Sequence, residues 1–340
     1  MAGHTIESIA ATLLAPGKGL LAADESFPTI EKRFKALDIP STEENRLAYR
    51  EMLFTTPGLK EFISGVILFD ETIRQRTKDG IPLPEMLTKE GIIPGIKVDK
   101  GTISLPNFAG EMITQGLDGL RERFAEYREL GARFTKWRAV IAIGEGLPTA
   151  TCIEANARAL ALFAALSQEA DLVPIVEPEV LMDGAHTLAR CEEVTRVTLK
   201  CVFDALFDQR VVLEQMLLKT GMVLSGKDCP PQAEISEVAE ATIRCLGRAV
   251  PAAVPGIVFL SGGQSDLAAT ERLNAICAVD DVPWTLSFSY GRALQDAALK
   301  TWRGSAANAA PAQAGLYHRA KCNGLAVRGK YSSDLESVVR

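Results

Sequence analysis

The sequence is poor in histidine and contains no common metal-binding motif. It has three histidines among 340 residues, at positions 4, 186 and 318, and no CxxC or HxxxH pair. Zinc sites in proteins use closely spaced cysteine and histidine ligands. The sequence therefore disfavours a catalytic centre built on a histidine-bound metal, and we expect neither a metal nor another cofactor.

Long apolar segments and an excess of positive charge are also missing. No apolar run is close to the length of a transmembrane helix, which needs about 20 residues. The N-terminus lacks the pattern of a signal peptide. The 37 Lys and Arg against 43 Asp and Glu give a net charge of −6, which argues against a general nucleic-acid surface. The seven scattered cysteines are typical of reduced thiols. We expect a cytoplasmic protein with no membrane or nucleic-acid partner.

Eight short apolar, β-prone runs alternate with helical stretches along the chain. They cover residues 19–24, 64–70, 91–99, 134–141, 173–180, 212–223, 256–263 and 284–291. Such alternation is typical of an α/β protein with a parallel sheet, and eight units predict a closed (β/α)8 TIM barrel. An open dinucleotide-binding sheet is disfavoured because no GxGxxG follows the first run.

The chain is longer than a barrel requires. A barrel takes about 250 residues, so the remainder predicts additional helices at the N- and C-terminal ends. No linker, repeat or low-complexity segment divides the sequence. We therefore expect residues 1–340 to form a single domain, with a polar and mobile tail at 330–340.

The apolar run 212–223 contains a lysine, Lys219, followed by a Thr-Gly turn. Burial disfavours the charged form of an amine, and a neutral amine attacks ketones and aldehydes to form a Schiff base. For this run alone, a lysine that extends to water from a strand end is the more common arrangement. The ends of the other strands change that interpretation.

Functional side chains end seven of the eight runs. In a barrel the carboxyl ends of the strands meet at one mouth, where catalytic residues lie. The residues concerned are Asp24, Lys97 with Asp99, Lys136 with Arg138, Glu177 with Glu179, Lys219, Ser261-Gly262-Gly263, and Gly291-Arg292. Repulsion between Lys136 and Lys219 would favour the neutral form of the less solvated amine.

The last two strand ends predict a phosphate site. Loops after barrel strands seven and eight commonly bind phosphate through backbone amides and helix N-termini. The groups here that suit a dianion are Ser261, Gly262, Gly263, Gly291 and Arg292. Lys97 and Arg33 are expected near the other rim, where they suggest a second phosphate. Two anion sites beside a Schiff-base lysine fit a bisphosphorylated sugar.

A set of motifs in order along the chain resembles one known family. The motifs are LAADES (21–26), TEENR (42–46), GVILFDET (65–72), KWR (136–138), VPIVEPE (173–179), LLK (217–219), FLSGGQS (259–265) and SYGRALQ (289–295). Together they resemble the class I fructose-1,6-bisphosphate aldolases, from about residue 16 to residue 331. The resemblance implies reversible, metal-independent cleavage of the sugar bisphosphate in glycolysis or gluconeogenesis, in a cytoplasmic homotetramer.

The resemblance also implies roles for individual residues. Lys219 matches the Schiff-base lysine, Glu177 the acid/base that assists its formation, and Asp24 the carboxylate that takes the C4-hydroxyl proton. Charge stabilisation and substrate positioning are implied for Lys136 and Arg138, and Glu179 matches their carboxylate partner. Substrate or phosphate contacts are implied for Arg33, Arg46, Lys97, Ser261, Gly262, Gly263, Gly291 and Arg292.

The sequence departs from the family pattern at three places. Thr220-Gly221 follows the lysine where Pro-Asn is common, and Phe27-Pro28-Thr29 stand where animal enzymes have small residues. The last tyrosine is Tyr331, whereas animal members end in a tyrosine that assists enamine protonation. We expect this protonation to be slower here or to use another group.

Two kinds of alternative function remain open. One is another phosphosugar barrel enzyme, either a Schiff-base lyase or an isomerase, although an isomerase would not need Lys219. The other is a non-catalytic scaffold that binds acidic polymers or the cytoskeleton through a basic mouth.

Overall fold

The computed structural model describes residues 5–279 and 281–339; residues 1–4, with His4, and residues 280 and 340 lie outside the described part. The α-helices are α1 Ile6–Leu13, α2 Phe27–Lys35, α3 Glu43–Phe54, α4 Asp70–Arg74, α5 Leu83–Lys89, α6 Leu120–Glu129, α7 Ala150–Glu169, α8 Leu188–Asp208, α9 Ile235–Ala249, α10 Asp266–Cys277, α11 Arg292–Trp302 and α12 Ala309–Ala326. Short 3-10 helices are Leu59–Glu61, Leu213–Gln215, Ala306–Asn308 and Ser333–Val339. The strands are β1 Gly19–Ala23, β2 Ile63–Leu68, β3 Ile93–Lys97, β4 Thr102–Ser104, β5 Met112–Thr114, β6 Phe134–Ile141, β7 Val173–Val180, β8 Leu217–Thr220, β9 Gly256–Phe259 and β10 Thr285–Tyr290.

Eight parallel strands close into a barrel. Their order is β1-β2-β3-β6-β7-β8-β9-β10, and β10 pairs back onto β1. The strands are buried over nearly all of their length, as expected where helices cover a barrel of parallel strands. The predicted (β/α)8 barrel is thereby confirmed, with α1 before the first strand and α12 after the last unit. The short strands β4 and β5 form a separate antiparallel pair.

Two predicted strands are wrong in their extent. Of the run 256–263, only Gly256–Phe259 forms a strand, β9. The run 212–223 is divided between the 3-10 turn Leu213–Gln215 and the four-residue strand β8. The physical reason lies at the start of the run, where Gln168 of α7 hydrogen-bonds to both the N–H and the C=O of Val212. These groups are therefore not available to a barrel ladder, and β8 begins only at Leu217.

Helix α1 closes the amino-terminal end of the barrel. Its apolar side chains pack with barrel-interior residues such as Leu20, Phe134 and Val258 in one buried cluster. The hydroxyl of Ser64, at the start of β2, donates to the carbonyl of Leu13 at 2.6 Å. Apolar side chains therefore fill the amino-terminal end of the barrel interior.

The C-terminal segment lies against the barrel's outer helices. Glu336, in the last 3-10 helix, accepts hydrogen bonds from Arg319 of α12 and from the Tyr331 hydroxyl. The predicted mobility of residues 330–340 stays a prediction. Among the described residues, no helix combines the length and hydropathy needed to cross a membrane.

Close packing around Phe134 gives a test of the barrel interior. A Cβ added at Gly95 of β3 would lie 2.3 Å from the Phe134 ring, whereas one added at Gly247 of α9 would meet nothing within 4 Å. We expect Gly95→Ala to lower the free energy of unfolding by about 1–3 kcal/mol through overpacking. Gly247→Ala is the matched control and should leave it unchanged or raise it by up to about 1 kcal/mol, because alanine favours a helix.

Urea unfolding followed by circular dichroism measures both variants. Equal midpoints for Gly95→Ala and the wild type would contradict the described packing of Phe134 against β3.

Candidate active site

The predicted strand-end residues lie around one end of the barrel. Lys97 of β3 is in register with Lys136 of β6, and Arg138 of β6 is in register with Glu177 of β7. Lys219 lies in the next strand, β8, and Asp24 directly follows β1. Parallel pairing therefore brings residues that are distant in sequence to the same level of the barrel.

Four of these side chains form a buried chain of alternating charge. Lys136 Nζ lies 2.8 Å from Asp24 Oδ2 and 3.0 Å from Glu177 Oε2. The other oxygen of Glu177, Oε1, lies 3.1 Å from Lys219 Nζ. The side chains of Lys136, Glu177 and Lys219 are only 4–5% exposed. Glu177 thus links the two lysines, and Lys136 links the two carboxylates.

This arrangement fixes the charges of the buried groups. Burial would raise the pKa of Asp24, but the nearby Lys136 and then Lys219 outweigh it and hold that pKa well below its usual range. The same balance, with Lys136 first and Lys219 next, lowers the pKa of Glu177. Burial would lower the pKa of Lys136, yet Asp24 and Glu177 raise it. Asp24 is therefore ionised at neutral pH.

Two further ion pairs extend the site towards the mouth. Arg138 donates to the carboxylate of Glu179, its neighbour on β7. Lys97 Nζ contacts Asp99 Oδ1 at 2.5 Å, and Asp99 Oδ2 accepts the backbone N–H of Arg138 at 3.3 Å. The carboxylates of Glu179 and Asp99 thus hold two cations that the sequence assigned to the substrate.

A cavity of about 840 Å³ opens beside this cluster. Its walls carry strand-end residues together with polar residues of α4 and α6: Asp24, Lys97, Asp99, Lys136, Arg138, Arg74, Arg123 and Tyr127. Lys219 and Glu177, each 3% exposed, lie in the barrel interior behind Lys136. The cavity has the volume of a site for a small molecule.

The glycine loops after β9 and β10 lie together with two arginines. Gly262 and Gly263 have φ values of 57° and 97°, a left-handed conformation that favours glycine. Arg292 Nη2 would be 3.3 Å from a Cβ on Gly263, and Arg33 Nη2 would be 3.8 Å from one on Gly291. Helices α10 and α11 begin directly after these loops. Backbone amides, helix N-termini and guanidinium groups therefore converge on one region that suits an anion.

Arg33 differs in position from the prediction. The sequence grouped it with Lys97 at the other rim, but the structure places it beside the loop of Gly291. The reason is that α2, which carries Arg33, follows β1, and β1 is hydrogen-bonded to β10. Arg33 therefore joins the residues of the first predicted phosphate site.

Arg46 lies in a different setting. Its Nε is 2.8 Å from Glu71 Oε2, and its guanidinium lies 4.9 Å from the centre of the Phe27 ring. The structure thus places Arg46 between α4 and Phe27, and its contact with the substrate stays a prediction.

Tyr331, the last tyrosine, lies in the C-terminal segment. Its hydroxyl donates a hydrogen bond to Glu336 at 2.9 Å. The expected difference in enamine protonation stays a prediction.

Glu25 is a member of the site region that sequence reasoning missed. Its two oxygens accept hydrogen bonds of 2.6 Å from Arg33 and Arg50, and Glu25 and Arg50 are both buried. Burial would raise the pKa of Glu25, but Arg50 and then Arg33 outweigh it and hold that pKa below its usual value. The available signal is its position directly after Asp24 at the end of β1, where only Asp24 was predicted to be functional.

A closed parallel barrel with charged side chains gathered at the carboxyl ends of its strands is the architecture of a barrel enzyme. A family model described as fructose-bisphosphate aldolase class-I matches residues 5–339. The chain belongs to the class-I fructose-bisphosphate aldolase family, which confirms the resemblance and the enzyme class predicted from the motifs.

Individual relatives agree with this assignment. A probable fructose-bisphosphate aldolase class 1 from Xanthomonas axonopodis pv. citri is 59% identical over 331 residues, covering 96% of this chain and 99% of that protein. A fructose-bisphosphate aldolase from Dictyostelium discoideum is 51% identical, and the match covers 96% of this chain and 92% of that protein. The solved structure of Plasmodium falciparum aldolase, in complex with TRAP and a small-molecule inhibitor, has a TM-score of 0.95 at 49% identity. It covers 96% of this chain and 95% of the solved chain.

The pairing of Lys136 with two buried carboxylates predicts a pH-dependent loss of stability. Lys136→Met leaves Asp24 and Glu177 facing each other without this cation, so at pH 7 we expect the free energy of unfolding to fall by about 3–5 kcal/mol. In the unfolded chain these carboxyl groups have a pKa of about 4. Because their pKa is lower in the folded wild type, they stabilise it above about pH 4, and this stabilisation is lost as the pH falls towards the folded pKa values. The difference between wild type and variant should therefore shrink below about pH 4.

Lys200→Met is the matched control, because Lys200 pairs with Asp204 on the exposed face of α8. Its expected cost is at most about 0.5 kcal/mol. Denaturant titrations between about pH 2.5 and 7 measure both variants, and a Lys136→Met effect that is small or independent of pH over this range would refute the described charge chain.

Proposed function

We propose that this aldolase cleaves fructose 1,6-bisphosphate reversibly to dihydroxyacetone phosphate and glyceraldehyde 3-phosphate through a Schiff base on Lys219. The observation that carries the proposal is the 3.1 Å separation between Lys219 Nζ and Glu177 Oε1 inside the barrel. A buried amine beside a carboxylate has a partner for each proton transfer of imine formation. Membership of the aldolase family supports the choice of substrate.

Glu177 is the proposed acid/base of Schiff-base formation. Lys219 first transfers one proton to Glu177, and the neutral amine then forms a bond to C2 while the C2 oxygen takes that proton from Glu177. Glu177 next takes the second proton that the nitrogen loses and gives it to the C2 hydroxyl, which leaves as water, so that the iminium forms. The iminium is an electron sink at C2, the role that a metal ion has in metal-dependent aldol cleavage.

Asp24 is the proposed base of the cleavage step. Its carboxylate takes the proton of the C4 hydroxyl, the C3–C4 bond breaks, and its electron pair moves to the iminium to give an enamine. Lys136 lies 2.8 Å from Asp24 and keeps it ionised before the step. Glyceraldehyde 3-phosphate leaves as the aldehyde. Protonation of the enamine at C3 and hydrolysis of the imine then release dihydroxyacetone phosphate.

The proposed phosphate contacts fall into two groups. The first group lies at the loops that precede α10 and α11 and consists of Ser261, Gly262, Gly263, Gly291, Arg292 and Arg33. The second group lies on the cavity wall, across the barrel mouth from the first, and consists of Lys97 and Arg138, which is paired with Glu179. Two separated cationic regions support a bisphosphate, because each end of an extended substrate then finds a counter-charge.

We also propose that the chain is a single domain that assembles as a homotetramer in the cytoplasm. The support is the family resemblance, and the seven cysteines are free, which suits a reducing compartment. Light scattering on the purified protein tests the assembly, and a mass of one or two chains would contradict the tetramer.

Reductive trapping tests the Schiff base directly. We expect borohydride to fix dihydroxyacetone phosphate onto Lys219 in the presence of a chelator, with the adduct mapped by peptide mass spectrometry. Lys219→Met should give no adduct. Lys227→Met is the matched control and should keep it, because Lys227 is exposed and pairs with Asp183. An adduct at another lysine, or none in folded wild type, would refute the role of Lys219.

Comparison of two carboxylate variants separates the proposed steps. Asp24→Asn should still be trapped by borohydride with dihydroxyacetone phosphate, while kcat for cleavage falls about 10²–10⁴-fold, as for loss of a general base. Glu177→Gln should slow imine formation itself, so that trapping becomes slow as well. If Asp24→Asn were as slow in trapping as Glu177→Gln, the assignment of separate roles would be wrong.

A further inference from the structure

Three potential metal ligands converge away from the barrel mouth, where the C-terminal tail meets α12. His318 and Cys322 are four residues apart on α12, and Glu336 reaches them from the last 3-10 helix. His318 Nε2 lies 3.3 Å from Glu336 Oε2 and 3.5 Å from Cys322 Sγ. All three donor atoms lie within 4.8 Å of one another.

These separations match the edges of a tetrahedron around zinc. With Zn–N of about 2.0–2.1 Å, Zn–O of about 2.0–2.2 Å and Zn–S of about 2.3 Å, tetrahedral geometry gives an N···O edge of about 3.4 Å and an N···S edge of about 3.6 Å. The observed values of 3.3 and 3.5 Å are within about 0.1 Å of both. Hydrogen bonds alone also give separations of this size, so it is the convergence of a thiol, an imidazole and a carboxylate within 4.8 Å that points to a metal.

We propose that His318, Cys322 and Glu336 form a structural zinc site, with a water molecule as the fourth ligand. The donor set is one that zinc prefers, a thiolate, an imidazole and a carboxylate. This site is separate from the lysine cluster, and aldol cleavage does not depend on it. The proposal therefore stands independently of the proposed reaction.

Neighbouring groups orient the carboxylate for this role. Glu336 Oε1 accepts hydrogen bonds from Arg319 at 2.5 Å and from the Tyr331 hydroxyl at 2.9 Å. Arg319 also contacts Oε2, the oxygen that lies beside His318, at 2.7 Å. Hydrogen bonds of this kind, from residues that do not touch the metal, commonly fix the geometry of metal ligands.

The site would fix the tail onto the helix that follows the first phosphate loop. Arg319 donates to Thr270 Oγ1 at 2.6 Å and contacts the carbonyl of Asp266, and both residues belong to α10. Tyr331 N donates to Asn274, also in α10, at 2.9 Å. A bound zinc ion would therefore fix the tail to α12, which Arg319 already joins to α10, and its removal should loosen the tail without unfolding the barrel.

Cobalt substitution provides the first test, on protein without an affinity tag and with the metal first removed by a chelator. Co²⁺ bound by a thiolate gives a charge-transfer absorption band, so we expect one equivalent of Co²⁺ to produce this band in the wild type. Cys322→Ser should abolish the band. Cys201→Ser is the matched control and should keep it, because Cys201 lies partly exposed on α8.

Zn²⁺ affinity, measured by competition with a chromogenic chelator, provides the second test. We expect His318→Asn and Glu336→Gln to weaken binding at least tenfold; these variants also decide the outcome if Cys322→Ser fails to fold. Zn²⁺ should slow tail proteolysis in the wild type and leave cleavage of fructose 1,6-bisphosphate unchanged. Absence of the band, or equal Zn²⁺ affinity in wild type and all three variants, would show a hydrogen-bonded contact without metal.

Discussion

The contact on which the site depends is that of Lys136 with two carboxylates. A buried charge without a partner costs several kcal/mol, so Asp24 and Glu177 can share the barrel interior only because a cation lies between them. Closure of the barrel makes this contact possible. Asp24 follows β1, whereas Lys136 and Glu177 belong to β6 and β7, and these strands meet only across the barrel interior.

The same contact gives the two buried lysines different environments. Lys136 lies within ion-pair distance of both Asp24 and Glu177, while in the described part of the chain Lys219 forms an ion pair with Glu177 alone. In the proposed reaction, transfer of one proton from Lys219 to Glu177 would leave a neutral amine and a neutral carboxyl group, the pair that imine formation needs. Lys136 meanwhile remains charged, because Asp24 is still ionised beside it. The repulsion between lysines inferred from the sequence is thus moderated by the carboxylates between them.

The fold and the strand-end residues were predictable because both follow from local pattern. Buried parallel strands are apolar runs in the sequence, and closure of the barrel brings their carboxyl ends together independently of the loop sequences. The features that were missed depend on contacts between distant segments. Gln168 of α7 hydrogen-bonds to Val212 and keeps it out of the sheet. The pairing of β1 with β10 determines the position of Arg33. The role of Glu25 is visible only from its hydrogen bonds with Arg33 and Arg50. No periodicity within a segment records such contacts.

The sparse histidines illustrate what an absent motif excludes. The lack of CxxC and HxxxH disfavours a site whose ligands are all close in sequence, and a catalytic metal is also unnecessary where a lysine is the electron sink. Neither argument excludes a structural metal at His318 and Cys322, because the fold of the tail brings the third ligand, Glu336, to them. Arg319 gives this junction a structural purpose whether or not a metal is bound, because it joins Glu336 to Thr270 of α10. A metal at this position would strengthen a contact that the polar network already makes, and the chemistry at Lys219 would be independent of it.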